Sequence, residues 1–219
     1  MQRGDLEEVF FGKTQRGGSV GLLPAKKGNG AFGQSDKKAK NLHLKIERRD
    51  NMEIEVEFLK EVGGRFSHAF GLIANAVGQL DDRQIWFRPS SHSNSIGIIL
   101  QHLTGNLNQW VLDGLGGKNY KRNRPMEFRE GARSAKEEIL KRFSQLGESV
   151  QEVISHFRRE ALLEQRRIQG FDQTMLAAII AAVTHLELHA GQIAYVSKFL
   201  LNEKYQESWK PASAEQGSA

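Results

Sequence analysis

The chain has 219 residues, no cysteine and a formal net charge of +5. That length suggests one domain with an extension, and the cysteine count excludes disulfides, thiolate metal ligands and cysteine nucleophiles. The charge is uneven: residues 1–51 hold 11 Lys/Arg against 6 Asp/Glu, which leaves 20 of each sign in the rest, and a neutral body argues against nucleic acid as main partner.

Residues 1–51 differ from the remainder of the chain. Eight glycines fall there and the apolar residues keep no period, so the segment, His43 included, reads as a disordered extension. The run KKGNGAFGQSDKKAK is its clearest example. Glu47-Arg48-Arg49 stands shortly before Met52. Those three codons can carry a bacterial ribosome-binding sequence, so the expectation is a translated leader with the native start at Met52. Residues 211–219 are expected to be a flexible tail, which leaves 52–210 as the folded domain.

From Met52 the pattern is helical. Phe58, Val62, Phe66, Phe70, Ile73, Val77 and Leu80 recur at spacings of three and four, which marks one apolar helix face. Asp81 to Ser95 reads as a loop. Ile96, Ile99, Leu103, Leu107 and Val111 define a second helix, ended by Gly114, Gly116 and Gly117. Lys118 to Gly131 is a polar loop. Ser134 and Glu137 suggest a capping box opening a third helix, with the stripe Leu140, Phe143, Leu146, Val150, Ile154 and Phe157. A fourth helix runs from about Thr174 to Leu201. No stretch gives convincing strand alternation. The predicted fold is all-α, an antiparallel four-helix bundle.

No uninterrupted apolar run reaches the roughly 18 residues of a membrane span. The most apolar stretch, Met175 to Val183, is too short. No secretion signal opens the chain, and the expected compartment is the cytoplasm.

The chemistry concentrates in THLELHAGQ, Thr184 to Gln192. His185 and His189 lie four apart and share a helix face. Leu186 stands where a zincin has glutamate, and helix geometry turns Glu187 away from His185. The two rings are either metal ligands or core histidines with hydrogen-bond partners. His102, beside the apolar stripe of the second helix, makes a three-histidine site geometrically natural, and such a site suits Zn²⁺, Ni²⁺ or Fe²⁺. His68 and His156 sit alone on helices and His92 in a loop, with structural or solvent roles.

Two segments, SNSIGIILQHLTGNLNQW (Ser93 to Trp110) and HLELHAGQIAYVSKFL (His185 to Leu200), resemble the DinB/YfiT-like superfamily of bacterial four-helix proteins, in a branch without assigned function. The resemblance covers about Met52 to Trp209. It implies a divalent metal held by one histidine of the second helix and the HxxxH pair of the fourth, positions that match His102, His185 and His189. It also implies, for some relatives, transfer of low-molecular-weight thiols to electrophiles, and often a homodimer.

Several other residues have two readings. Gln192 can orient a ligand or pack. Asn106 can stand behind a ligand or mark the solvent edge, and Asn94 can stand behind a ligand or cap a helix. Gly191 permits close helix approach. Trp110 is either core or a wall of a substrate site. Arg122, Arg124 and Arg129 either bind an anionic substrate or are solvated. No catalytic residue is assigned. The preferred function is a metal-dependent thiol transferase acting on small electrophiles. The alternatives are a non-catalytic metal-binding stress-response protein and a metal-dependent hydrolase.

Overall fold

A computed structural model describes residues 34–129 and 133–209 of the chain. The glycine-rich residues 1–33 and the tail 211–219 lie outside them, as does the side chain of His43. The chain divides into two units, residues 1–57 and 58–219.

The described part is mostly helical. Helix α1 spans Gln34–Gly78, so residues 34–51 are helical where composition suggested an irregular segment. Lys, Arg, Glu, Leu and Ala dominate that stretch, and all are good helix formers. The glycines that coloured the reading stop at Gly33. In the second unit the predicted stripe of α1 is inward: Val62, Phe66, Ile73, Val77 and Leu80 are buried. Phe58 and Phe70 are half-buried, and the Phe70 ring packs on Phe143 at 4.9 Å between centroids.

The segment after α1 is not wholly loop. Asp81 accepts from the backbone of Arg83 and Gln84 while Gln84 accepts from Asp81 N, a capping box that opens the one-turn helix α2, Asp82–Ile85. Helix α3 spans Ile96–Leu107, and its cap is Ser95 rather than Asn94: the Ser95 hydroxyl accepts from Ile98 N. Ile96, Leu100, Leu103 and Leu107 are fully buried, each contributing roughly 1.5–3 kcal/mol of apolar burial. The helix then widens into a π-helical turn, Asn108–Asp113. That turn ends at Asp113, and a further turn of chain leads to Gly117, whose φ of +71° suits glycine.

The next loop contains a one-turn helix, α4, Arg124–Glu127, opened by Pro125. Helix α5 spans Lys136–Ser155 without the expected capping box; Ala135 is its cap residue and makes no side-chain bond. Asp82 of α2 takes that role from outside, accepting from Lys136 N at 2.7 Å. Its core face is Ile139, Phe143, Leu146, Val150 and Ile154, so Ile139 replaces the predicted Leu140.

A two-stranded antiparallel hairpin departs from the all-α expectation: β1, Gln165–Ile168, pairs with β2, Phe171–Thr174. Gln169 and Gly170 both have positive φ, the requirement of a two-residue primed turn. The strands carry little apolar alternation, because only Ile168 among the eight residues is buried, and Gln-Gly is weaker punctuation than Asn-Gly. Helix α6 spans Met175–Leu201, with Thr174 accepting from Ala177 N as its cap. With the turn to Lys204 it is long and apolar enough, by length and composition, to cross a membrane. Averaged hydropathy tolerates the polar residues that break an uninterrupted run. Its inner side, from Met175 through Ala178, Ala182 and Leu186 to Ile193, is core, and it packs against α3.

Candidate metal centre

Helices α3 and α6 bring His102, His185 and His189 together. One ring nitrogen from each lies within 4.8 Å of the others. His102 Nε2 is 3.0 Å from His185 Nε2. The His185 and His189 rings meet edge to face with centroids 4.6 Å apart, and the His102 ring stands 5.2 and 5.3 Å from them. His102 and His185 are buried, at 4% and 6% exposure, and His189 is half-buried. The i,i+4 spacing on α6 and the neighbouring packing of α3 produce this convergence.

The loop after α3 supplies the surroundings of the triad. Glu127 is buried and its Oε2 lies 3.1 Å from His102 Nδ1. Arg122 grips the same carboxylate with two bonds, Nε to Oε1 at 2.7 Å and Nη2 to Oε2 at 2.8 Å. Its third nitrogen donates to Gln109 Oε1 on the π-helical turn at 3.2 Å. The Phe128 ring stacks obliquely on His102 at 5.2 Å. Arg122 is therefore neither solvated nor set out for an anionic substrate, and its side chain is only 3% exposed. Arg124 lies over the Phe128 ring at 5.4 Å.

This network fixes protons. His102 Nδ1 faces Glu127 Oε2 at 3.1 Å and Arg122 Nη2 at 3.3 Å. The nearer contact is to a carboxylate, which only accepts, while Arg122 Nη2 already donates to that carboxylate at 2.8 Å, so the hydrogen is assigned to Nδ1 and the lone pair to Nε2. His185 Nε2 then donates to His102 Nε2. His189 Nδ1 is 2.8 Å from Gln192 Oε1, which orients that ring as well. Burial would raise the Glu127 pKa, but hydrogen bonds from Arg122 and His102, with their charges, hold it below the usual carboxylate value. Burial, followed by the charges of His189, His102, Arg122 and Arg124, lowers His185 to about 2. It is a neutral imidazole across the physiological range. Tyr120, in the same loop, is raised by burial and by the Glu127 charge.

Asn106, one turn from His102 on α3, is 1% exposed, and neither of its amide atoms meets a hydrogen-bond partner. A buried unpartnered amide carries a desolvation cost of about 1–3 kcal/mol. Glu187 faces away from the triad, as helix geometry predicted, and pairs with Arg65 of α1 at 2.6 Å. Gly191 does not mediate a close helix contact, since a Cβ there would have open space. Trp110 is core and donates to Gln169 Oε1 in the hairpin turn at 2.9 Å. His68, His92 and His156 are exposed. Arg129 is exposed and Asn94 half-buried.

The sequence pointed to the three histidines, placed Gln109 on the polar edge beside His102 and left Gln192 with two roles, but gave no sign of Glu127 or Phe128. The loop carries two glutamates among many polar residues, and nothing in their spacing marks Glu127 as buried. A cleft of about 570 Å³ lies elsewhere, between the end of the π-helical turn, the end of α5 and the hairpin, lined by Lys118, His156, Phe157 and Arg166 among others.

The pattern of one protein family, described as a protein of unknown function (DUF1572), matches residues 53–213. The chain belongs to the DUF1572 family. No curated protein matches it. Among solved structures it is similar to the crystal structure of a DinB-like protein from Bacillus cereus ATCC 10987, with a TM-score of 0.52 and 12% identity. That likeness covers 65% of this chain and 90% of that one. The DUF1572 chain therefore has a DinB-like fold, with a histidine triad that can hold a metal ion.

Proposed function

We propose that His102, His185 and His189 hold one divalent ion, Zn²⁺ or Ni²⁺ before Fe²⁺, in an antiparallel four-helix bundle of DinB/YfiT-like type. The carrying observation is the convergence of three imidazoles from two helices within 4.8 Å. Nitrogens around a tetrahedral ion, with bonds of about 2.0–2.1 Å, sit roughly 3.4 Å apart. The 3.0 Å separation of His102 and His185 Nε2 is close to that. The donor set also fits: His185 stays neutral, so moving its hydrogen from Nε2 to Nδ1 frees Nε2 for the ion, and His102 points a lone pair inward because Glu127 occupies its other nitrogen.

Within that reading the protein is a cytoplasmic thiol transferase acting on a small electrophile. A divalent ion supplies charge that stabilises a thiolate near neutral pH. The sulfur forms a bond to the electrophilic carbon, the leaving group departs with its electron pair, and the thiol proton passes to solvent. Asn106, buried and unpartnered, is available to hydrogen-bond a polar group of the thiol or the electrophile. Transfer is favoured over hydrolysis because Glu127 is committed to Arg122 and His102, and Glu187 to Arg65. Neither is set up as a general base. The burial of His102 and His185 favours a second reading, a metal-binding protein without turnover.

The test is an assay with several low-molecular-weight thiols and chlorodinitrobenzene, with and without chelator. Thiol-dependent release of chloride that chelation abolishes and divalent metal restores supports transfer. A rate indifferent to chelator contradicts it.

A further inference from the structure

The triad is braced by a loop that reaches it from outside the two ligand helices, and that brace has a built seat. A Cβ placed on Gly105 would lie 1.9 Å from Glu127 Oε1 and 3.3 Å from Arg122 Nε. The carboxylate thus rests against bare backbone of α3, three residues after His102. Residues three apart share a helix face, so a carboxylate over Gly105 is within reach of the His102 ring edge. Arg122 holds the other side of the carboxylate with a two-pronged grip that fixes its plane. Gln109 in turn holds Arg122. Glu127, at 8% exposure, has no solvent reason to be there, and burying a carboxylate without its partners is costly.

From this geometry we infer that Glu127 is the positioning residue of the metal centre, acting through His102, with Gly105 as its seat and Arg122 as its clamp. This rests on the metal-binding reading above. Glu127 touches no reacting atom. It fixes the His102 tautomer with hydrogen on Nδ1, aims the Nε2 lone pair at the other two rings, and makes the imidazole a stronger donor. Residues 122–128 therefore act as a strap: the same side chains that dock the loop on α3 orient one ligand.

The experiment uses the full chain as wild type and Glu127→Gln. Zn²⁺ affinity is measured by competition with a chromophoric chelator, and the visible spectrum is recorded after Co²⁺ loading. The glutamine variant should bind roughly 10- to 100-fold more weakly, with altered Co²⁺ bands. A merely structural role would lower the stability of the metal-free protein and leave the spectrum of the folded, loaded protein unchanged. Equal affinity and identical bands in the two proteins would overturn the inference while leaving the metal reading intact. A second measurement needs no variant: ¹⁵N spectra of the metal-free wild type report the His102 tautomer. Hydrogen on Nδ1 is expected. Hydrogen on Nε2 would overturn the inference, whatever the wild type does with metal. Failure of the wild type to bind any divalent ion would instead remove the metal reading, and Glu127 would have no ligand to position.

Discussion

Gly105 and Glu127 occupy complementary space, so that α3 has a hydrogen where the carboxylate needs room. Two residues that look unrelated in sequence, a helical glycine and a loop glutamate, are one structural feature. The glycine costs about 1 kcal/mol of helix propensity relative to alanine, and the docked carboxylate offsets it.

Gly105→Ala therefore behaves opposite to an ordinary helix substitution. Alanine should raise helix propensity, yet here it collides with Glu127 Oε1. Thermal unfolding of the metal-free protein should show a loss of roughly 1–3 kcal/mol, typical of overpacking, and Zn²⁺ affinity should fall as in Glu127→Gln. A stabilised variant with unchanged affinity would show that the notch is not needed.

Asn106→Leu separates ligand handling from folding. Removing an unpartnered buried amide should leave the stability of the metal-free protein unchanged or raise it, because no hydrogen bond is lost. Transfer activity should drop by an order of magnitude or so, as when a buried polar contact to substrate is removed. Urea unfolding and the chlorodinitrobenzene assay read the two effects separately.

Acid should weaken the metal-free fold through His185. Its folded pKa is lowered to about 2, whereas an unfolded histidine titrates near 6.5. The unfolded chain then binds the extra proton first, so stability present above pH 6.5 is lost as pH falls towards the folded value. The slope approaches ~1.4 kcal/mol per pH unit for this one group. Glu127, lowered in the fold, acts in the same direction below its ordinary 4.5. Urea midpoints between pH 7 and 5 should fall in the wild type and flatten in His185→Gln.

The helical order and the triad were legible because both rest on short-range periodicity. Stripes at three and four residues located the core faces of α1, α3 and α5, and the i,i+4 rule joined His185 to His189. The hairpin was hidden because its strands bury only Ile168 and its turn is Gln-Gly. The start of α5 was misread because its capping carboxylate, Asp82, comes from 54 residues earlier. Glu127 was invisible for the same reason: its burial depends on a gap at Gly105 and a clamp at Arg122, neither of which has a spacing rule. Contacts set by the helix repeat can be read along the chain, whereas contacts set by loop docking cannot.

The proposed ion on His102, His185 and His189 can be measured outright. Its most direct test is elemental analysis of purified protein after loading with Zn²⁺ or Ni²⁺ and removal of free metal. Wild type should retain one ion per chain, and His102→Ala and His185→Ala should retain almost none while staying folded by circular dichroism. Equal metal in wild type and both variants, whether high or low, would contradict the account.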